Sequence, residues 1–238
     1  MRTAIGLALL TVSGPALAAD PVIGLLSLPE VFGDFPCDEF TPEEITLYRA
    51  PDSNETVGWI RVETYWTFHA IGGCEGLKVS VYRPGTGGVA ELPTKEYDYE
   101  APAAIVLQEH GRWFQLLVDN GAAWIRASER DEFFPLERLL EDRLTYLTSA
   151  WDGRLAPSPG AETREAEREP HADESNGAEP NVRVLGFRRV GEELWVDVEV
   201  MSHSFCEGAE EPKVTASGWI PAHAASGELT IWFYSRGC

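Results

Sequence analysis

The stretch Trp113-Phe-Gln-Leu-Leu-Val-Asp-Asn-Gly-Ala-Ala-Trp-Ile-Arg126 indicates the fold class most clearly, because two strand-forming runs flank a turn signal. Residues 113–118 and 123–126 are rich in the aromatic and branched residues that are typical of β-strands. Asp119-Asn120-Gly121 lies between the runs, and an Asn-Gly pair favours the type I′ turn of a tight hairpin. The stretch therefore predicts a β-hairpin.

Similar short runs recur on both sides of this hairpin and predict an all-β chain. Turn-forming pairs such as Pro84-Gly85 and Gly87-Gly88 separate the runs. Residues 135–142 depart from the pattern and predict one short helix, since proline is favoured at the first position of a helix. The other predicted strands include residues 45–48, 57–62, 79–82, 104–107 and 144–150.

The first residues predict export. Arg2 gives a positive start, residues 5–12 are apolar, and Ala16-Leu17-Ala18 has the small residues of a cleavage site. Residues 1–18 are therefore predicted to be a signal peptide of a periplasmic or secreted protein. The apolar run is shorter than the roughly 20 residues that a membrane-spanning helix needs, and no lipoprotein cysteine follows the cleavage site. No membrane insertion is expected.

The cysteines of an exported chain are expected to be oxidised. Four cysteines allow three pairings. A composition change in the interval between the second and third cysteine favours local disulfides, each stabilising the fold by roughly 3–4 kcal/mol through chain entropy. The predicted disulfides are Cys37–Cys74 and Cys206–Cys238.

That composition change lies at residues 157–180, which contain no aromatic and no large aliphatic side chain. Such a segment buries too little apolar surface to offset the entropy lost on ordering, so a flexible acidic linker is predicted at residues 155–181. The linker divides the mature chain. The predicted parts are an N-terminal β module at 19–96, a middle module with the helix at 97–154, and a C-terminal module at 182–238.

The charge of the chain excludes some partners. There are 39 acidic and 19 basic residues, which give a formal net charge of −20. A chain this acidic is a poor partner for the phosphate backbone of nucleic acid and for anionic membranes. Solubility is one explanation of the charge, and an acidic face that attracts a basic partner is the alternative.

The middle module resembles bacterial SH3-like domains. The resemblance rests on Tyr97-Asp-Tyr-Glu-Ala-Pro102, Gly111-Arg-Trp113-Phe and Asn120-Gly121-Ala-Ala-Trp124-Ile125. The C-terminal module is similar through residues 191–198 and Gly218-Trp219-Ile220-Pro221, whereas residues 47–58 of the first module match only the entry pattern. The resemblance implies tandem small SH3-like barrels that are stapled by disulfides. For bacterial members it implies binding to cell-wall material or to peptides.

The resemblance also implies a ligand-binding groove formed by Tyr97, Tyr99 and Trp113. In SH3 domains, tyrosines and a tryptophan in such motifs line a shallow groove for proline-rich peptides. The alternative is that these three rings pack in a barrel core or between barrels. Trp124, by contrast, is expected to lie deeper and to close the barrel.

No metal, cofactor or catalytic residue is predicted. His69 and Cys74, and again His203 and Cys206, are ligand types that suit zinc, but their unequal spacing and the oxidising compartment favour disulfide loops. The chain has no Gly-x-Ser-x-Gly, no His-Glu-x-x-His and no phosphate-binding glycine loop. The sequence therefore predicts a non-enzymatic binding or scaffolding protein of the bacterial envelope, whose partners are cell-wall fragments or an envelope protein. Two alternatives stay open: a small secreted hydrolase acting on wall polymer or peptide, and a structural or inhibitory partner of another envelope protein.

Overall fold

The computed structural model describes residues 20–32, 44–64, 77–85, 89–119, 121–166, 181–206 and 211–237. Within these ranges the chain is built of antiparallel strands and two short helices, so the all-β prediction is confirmed. The predicted helix at residues 135–142 is confirmed as α2 (Leu136–Leu140), and α1 is Pro29–Phe32. None of the described helices has the length and apolar character that crossing a membrane requires.

Among the described residues, the larger sheet contains ten strands. Their order across the sheet is β10-β1-β7-β8-β9-β2-β3-β4-β5, and β6 pairs with β7 outside this path. The hairpin predicted from residues 113–126 is confirmed as β8 and β9, in which Val118 lies opposite Gly121. The strands are β1 Gly24–Ser27, β2 Glu44–Tyr48, β3 Thr56–Thr64, β4 Leu77–Tyr82, β5 Val89–Glu91, β6 Thr94–Asp98, β7 Ala101–His110, β8 Trp113–Val118, β9 Gly121–Arg126 and β10 Glu132–Pro135.

In the described part of the chain, the smaller sheet contains five strands in the order β16-β15-β14-β11-β17, and a two-stranded hairpin pairs β12 with β13. Long β14 and β15 form its centre and are adjacent in the sequence, whereas β11 and β17 come from distant parts of the chain. These strands are β11 Thr145–Leu147, β12 Arg154–Leu155, β13 Arg164–Glu165, β14 Asn181–Val190, β15 Glu193–Met201, β16 Val214–Pro221 and β17 Ile231–Phe233.

Strands β1 and β7 lie between two hydrophobic cores. Successive side chains of a strand point to opposite faces. Ile105 therefore belongs to one core and Val106 to the other, and Leu25 and Leu26 divide in the same way. The inner core, which contains Leu26 and Val106, is enclosed by the larger sheet. The junction core, which contains Leu25, Ile105 and Phe233, packs β1, β7 and α2 against the smaller sheet.

The predicted module boundaries at residues 96 and 154 do not coincide with the sheets. The N-terminal and middle segments share the larger sheet, because β1 pairs with β7 and β10, and Tyr48 of β2 pairs with Trp124 of β9. Strand β11, placed by the sequence in the middle segment, belongs to the smaller sheet. The physical reason is that β1 and β7 bury both faces, which joins the segments through long-range pairing and packing.

Residues 155–166 of the predicted linker at residues 155–181 form regular backbone pairings. Strand β12 pairs with β13, and Ala156 exchanges two backbone hydrogen bonds of 2.8 Å with Trp219 on β16. The side chain of Arg154 also donates to Thr163. Backbone pairing, burial of Leu155 in the junction core and one charged side chain therefore order this segment. Residues 167–180 lie outside the described ranges.

The predicted signal peptide at residues 1–18 and three of the four cysteines also lie outside the described residues. These cysteines are Cys37, Cys74 and Cys238. Cys206 lies within the described residues and does not carry a free thiol. The pairings Cys37–Cys74 and Cys206–Cys238 therefore stay predictions.

Candidate functional site

A cleft of about 360 Å³ opens where the larger sheet meets the smaller one. Strand β6 forms one wall, and β11 with the chain from β17 onwards forms the other. We call it the junction cleft. Its lining residues are Lys95, Glu96, Tyr146, Trp232, Phe233, Tyr234, Ser235, Arg236 and Gly237.

The aromatic wall of the junction cleft follows from the alternation of side chains along β11 and β17. Tyr146 pairs with Trp232 across the two strands, so their rings share a face, and Tyr234 continues that face two residues later. The ring centroids of Tyr146 and Tyr234 are 4.6 Å apart. Phe233 points the other way and is buried in the junction core. Trp232 is also buried in this core, so the accessible aromatic surface of the cleft comes from the partly exposed rings of Tyr146 and Tyr234.

The polar wall of the junction cleft is centred on the carboxylate of Glu96. Arg236 donates from Nη2 to Oε1 at 2.6 Å and from Nε to Oε2 at 3.1 Å, and Ser235 donates from Oγ to Oε2 at 2.7 Å. The hydrogen bonds from Arg236 and Ser235 lower the pKa of Glu96 from 4.5 to about 2. The ammonium of Lys95 lies 4.7 Å from the centroid of the Trp232 ring. At neutral pH, the cleft thus combines aromatic rings with a fixed pattern of charges.

The lowered pKa of Glu96 predicts an acid-sensitive contact between the two sheets. A carboxyl group with a lowered pKa in the folded state stabilises the fold above its ordinary pKa, and this stabilisation is lost as the pH falls through the folded value. We expect thermal stability to fall more steeply between pH 4.5 and 2 in the wild type than in the Glu96→Gln variant. Melting curves across this window check it. If the melting temperatures of the wild type and of Glu96→Gln fall in parallel across this window, the contact does not contribute to stability.

A second concavity of about 340 Å³ lies between β16 and the β12–β13 hairpin. Its walls include the small side chains of Ala156, Ala166 and Ala216, and no aromatic ring is among its described lining residues. Apolar and aromatic walls with a few placed polar groups are typical of ligand sites. The junction cleft is therefore the stronger candidate.

The structure places Tyr97 and Tyr99 beside the junction cleft, in different environments. The ring of Tyr97 stacks on Phe134, with centroids 4.5 Å apart, and packs against the junction core. Arg143 donates to the carbonyl oxygen of Tyr97 at 2.8 Å. Tyr99 is 62% exposed, and the guanidinium of Arg236 lies 5.7 Å from the centroid of its ring. Tyr97 is therefore a packing residue, whereas Tyr99 is accessible at the rim.

Trp113 does not join the two tyrosines. It contacts Tyr48 edge to face, with centroids 5.3 Å apart, and its Nε1 donates to Asp52 at 3.1 Å. Along β7, Trp113 lies opposite His110 and Asp98 lies opposite Ala101. Nine residues of extended strand span roughly 30 Å. Tyr97, Tyr99 and Trp113 therefore do not form the groove predicted from the SH3-like resemblance. Trp124 is 8% exposed and is buried as expected.

The residues that the sequence did not single out are Glu96, Tyr146, Tyr234 and Arg236. The aromatic run at residues 232–234 was the one available signal. It did not identify a cleft, because the opposite wall comes from β6, more than a hundred residues earlier in the chain.

The described residues contain no cluster of three His, Cys, Asp or Glu side chains that could hold a metal ion. Comparison of the chain with protein-family models, with curated proteins and with solved structures finds no match.

Proposed function

We propose that this protein is a non-catalytic binding protein of the bacterial envelope that holds a cell-wall fragment or a peptide in the junction cleft. The carrying observation is that Tyr146 and Tyr234 on one wall lie beside the Glu96–Arg236 ion pair, which joins the two walls. Tyrosine offers a large contact area at a low cost in conformational entropy, and a few fixed polar groups orient a ligand. The envelope location in this proposal rests on the predicted signal peptide.

The chemistry of the junction cleft favours binding over hydrolysis. A general acid or base works best when its pKa lies near the operating pH. The pKa of Glu96 is about 2, and both of its oxygens accept hydrogen bonds from Arg236. Among the described lining residues, Glu96 is thus suited to recognition and not to proton transfer.

The proposal includes an SH3-like relationship for the strands around the inner core. It is supported by the antiparallel run β7–β8–β9, which carries the motif residues Trp113 and Trp124. Because Trp113 lies far from the junction cleft along β7, the proposed ligand site differs from the groove that the resemblance implies. The two sites can be separated experimentally.

Replacing Tyr146 by alanine should weaken binding of soluble peptidoglycan fragments by about 1–3 kcal/mol, the range of an aromatic hot spot. This corresponds to roughly 5- to 150-fold in the dissociation constant. The reason is that Tyr146 presents a partly exposed ring to the cleft. Isothermal titration calorimetry with purified fragments measures the change.

Trp113→Ala is the matched control. It also removes a partly exposed aromatic ring, but this ring lies beside Asp52 and outside the junction cleft. It should leave the dissociation constant unchanged. Loss of affinity in Trp113→Ala with normal affinity in Tyr146→Ala would place the ligand in the SH3-like groove. Cleavage of the fragments by the wild type would contradict a non-catalytic function.

A further inference from the structure

The guanidinium of Arg236 makes three kinds of contact with the end of β6 and the turn that follows. It donates twice to Glu96, its Nη1 lies 4.0 Å from Oε1 of Glu100, and it lies beside the ring of Tyr99. A bidentate carboxylate, a second carboxylate and an aromatic ring are the groups that recognise arginine in protein interfaces. The turn thus holds a bound guanidinium, supplied by the chain itself.

Solvent reaches both sides of this contact. On the β6 side, Tyr97 stacks on Phe134, and the backbone N–H of Tyr99 donates to the side chain of Asp98 at 2.7 Å. Tyr99 and the side chain of Glu100 are each 62% exposed, and the side chain of Arg236 is 58% exposed. An external arginine can therefore reach the site and compete with Arg236 for it.

We propose that Glu96, Tyr99 and Glu100 form a binding site for an arginine side chain of a basic partner protein, and that Arg236 occupies this site until the partner displaces it. Charge complementarity identifies the partner chemistry. Asp98 adds a further exposed carboxylate beside the site, and the chain carries a formal net charge of −20. Such a field raises the local concentration of basic segments. Arginine fits better than lysine, because its planar fork can satisfy the carboxylate and stack on the ring.

This inference does not depend on ligand binding along Tyr146. The two proposed sites share Glu96 and Arg236, but only the wall-fragment site uses the rings on β11 and after β17. Tyr146→Ala should therefore weaken the binding of wall fragments and leave the binding of an arginine peptide unchanged. The two proposals can thus fail separately.

The test is binding of a labelled peptide of alternating glycine and arginine to the Arg236→Ala variant at low ionic strength. A tethered group competes as if it were present at roughly millimolar concentration. Loss of this internal competitor should tighten binding by roughly tenfold, as measured by fluorescence anisotropy. Adding Glu96→Gln to Arg236→Ala should abolish the gain.

Arg49→Ala is the matched control. Arg49 forms an exposed ion pair of 2.6 Å with Glu55 elsewhere on the surface, so the variant has the same net charge as Arg236→Ala. It should bind the arginine peptide with nearly wild-type affinity. The proposal is overturned if Arg236→Ala binds the peptide no more tightly than Arg49→Ala, or if Glu96→Gln leaves the gain intact.

Discussion

Replacing Phe233 by alanine should lower the free energy of unfolding by about 3–5 kcal/mol, the range for removing a buried aromatic ring. Phe233 is 2% exposed on β17, its ring lies 4.9 Å from that of Trp232, and the guanidinium of Arg143 lies 4.8 Å from its centroid. Because the ring belongs to the core between the two sheets, the cavity would destabilise the junction and not one sheet alone.

Urea denaturation followed by tryptophan fluorescence and by circular dichroism measures this loss. Val190→Ala is the control, since Val190 is 43% exposed on β14, and surface changes of this kind usually stay within about 0.5 kcal/mol. The midpoints of both signals should shift together in Phe233→Ala. If the smaller sheet melts early while the larger sheet keeps its wild-type midpoint, the two sheets do not stabilise each other through the junction core.

Replacing Gly24 by alanine should destabilise the protein by at least about 1–3 kcal/mol, the usual cost of overpacking. Gly24 lies on β1 between Val106 of β7 and Pro135 of β10. A Cβ at this position would overlap the carbonyl oxygen of Phe134 and lie 2.7 Å from a ring carbon of Phe133. Backbone atoms of β10 cannot rotate away, so β1 or β10 would have to shift.

Gly186→Ala provides the comparison for Gly24→Ala. Gly186 also lies in a strand, β14, but nothing lies within 4 Å of the position of an added Cβ. Alanine in place of a compatible glycine restricts the unfolded chain and can stabilise a protein by about 0.4–1 kcal/mol. Thermal melting should therefore move in opposite directions for the two variants. Equal melting temperatures would show that the close packing of β1 and β10 is not required.

The elements that could be predicted from the sequence are those set by local pattern. The β8–β9 hairpin follows from two strand-forming runs around Asp119-Asn120-Gly121, and α2 follows from the proline at its start. Burial of Trp124 was expected from the SH3-like resemblance, which implies a barrel-closing role, and Trp124 is 8% exposed. In each case the residues that decide the structure are neighbours in the chain.

The junction cleft could not be predicted, because distant segments form it. Thr145–Leu147 pairs with Ile231–Phe233, and Glu96 meets Arg236 across 140 positions of sequence. Contacts between segments so far apart in the chain do not appear in the local sequence pattern from which strands and helices are predicted. The alternating division of residues 103–107 between two cores likewise appears in the sequence as one continuous apolar run, which fits any buried strand.

Of the three groove residues that the SH3-like resemblance implies, Tyr97 and Tyr99 lie near the junction cleft and Trp113 does not. Tyr99 lies at the rim of the junction cleft, because it follows β6 directly. Trp113, the first residue of β8, pairs with His110 at the opposite end of β7, where Tyr48 and Asp52 contact it. Short aromatic motifs thus indicated accessible rings, while strand pairing decided which of them come together.

Chemical-shift mapping tests the proposed site most directly. The isotope-labelled protein is titrated with soluble peptidoglycan fragments, and the backbone amides that shift are assigned. The predicted result is that the largest changes fall on residues 95–96, on Tyr146 and on residues 232–237, which line the junction cleft. Changes confined to Tyr48, Asp52 and Trp113, with none along the cleft, would contradict the account.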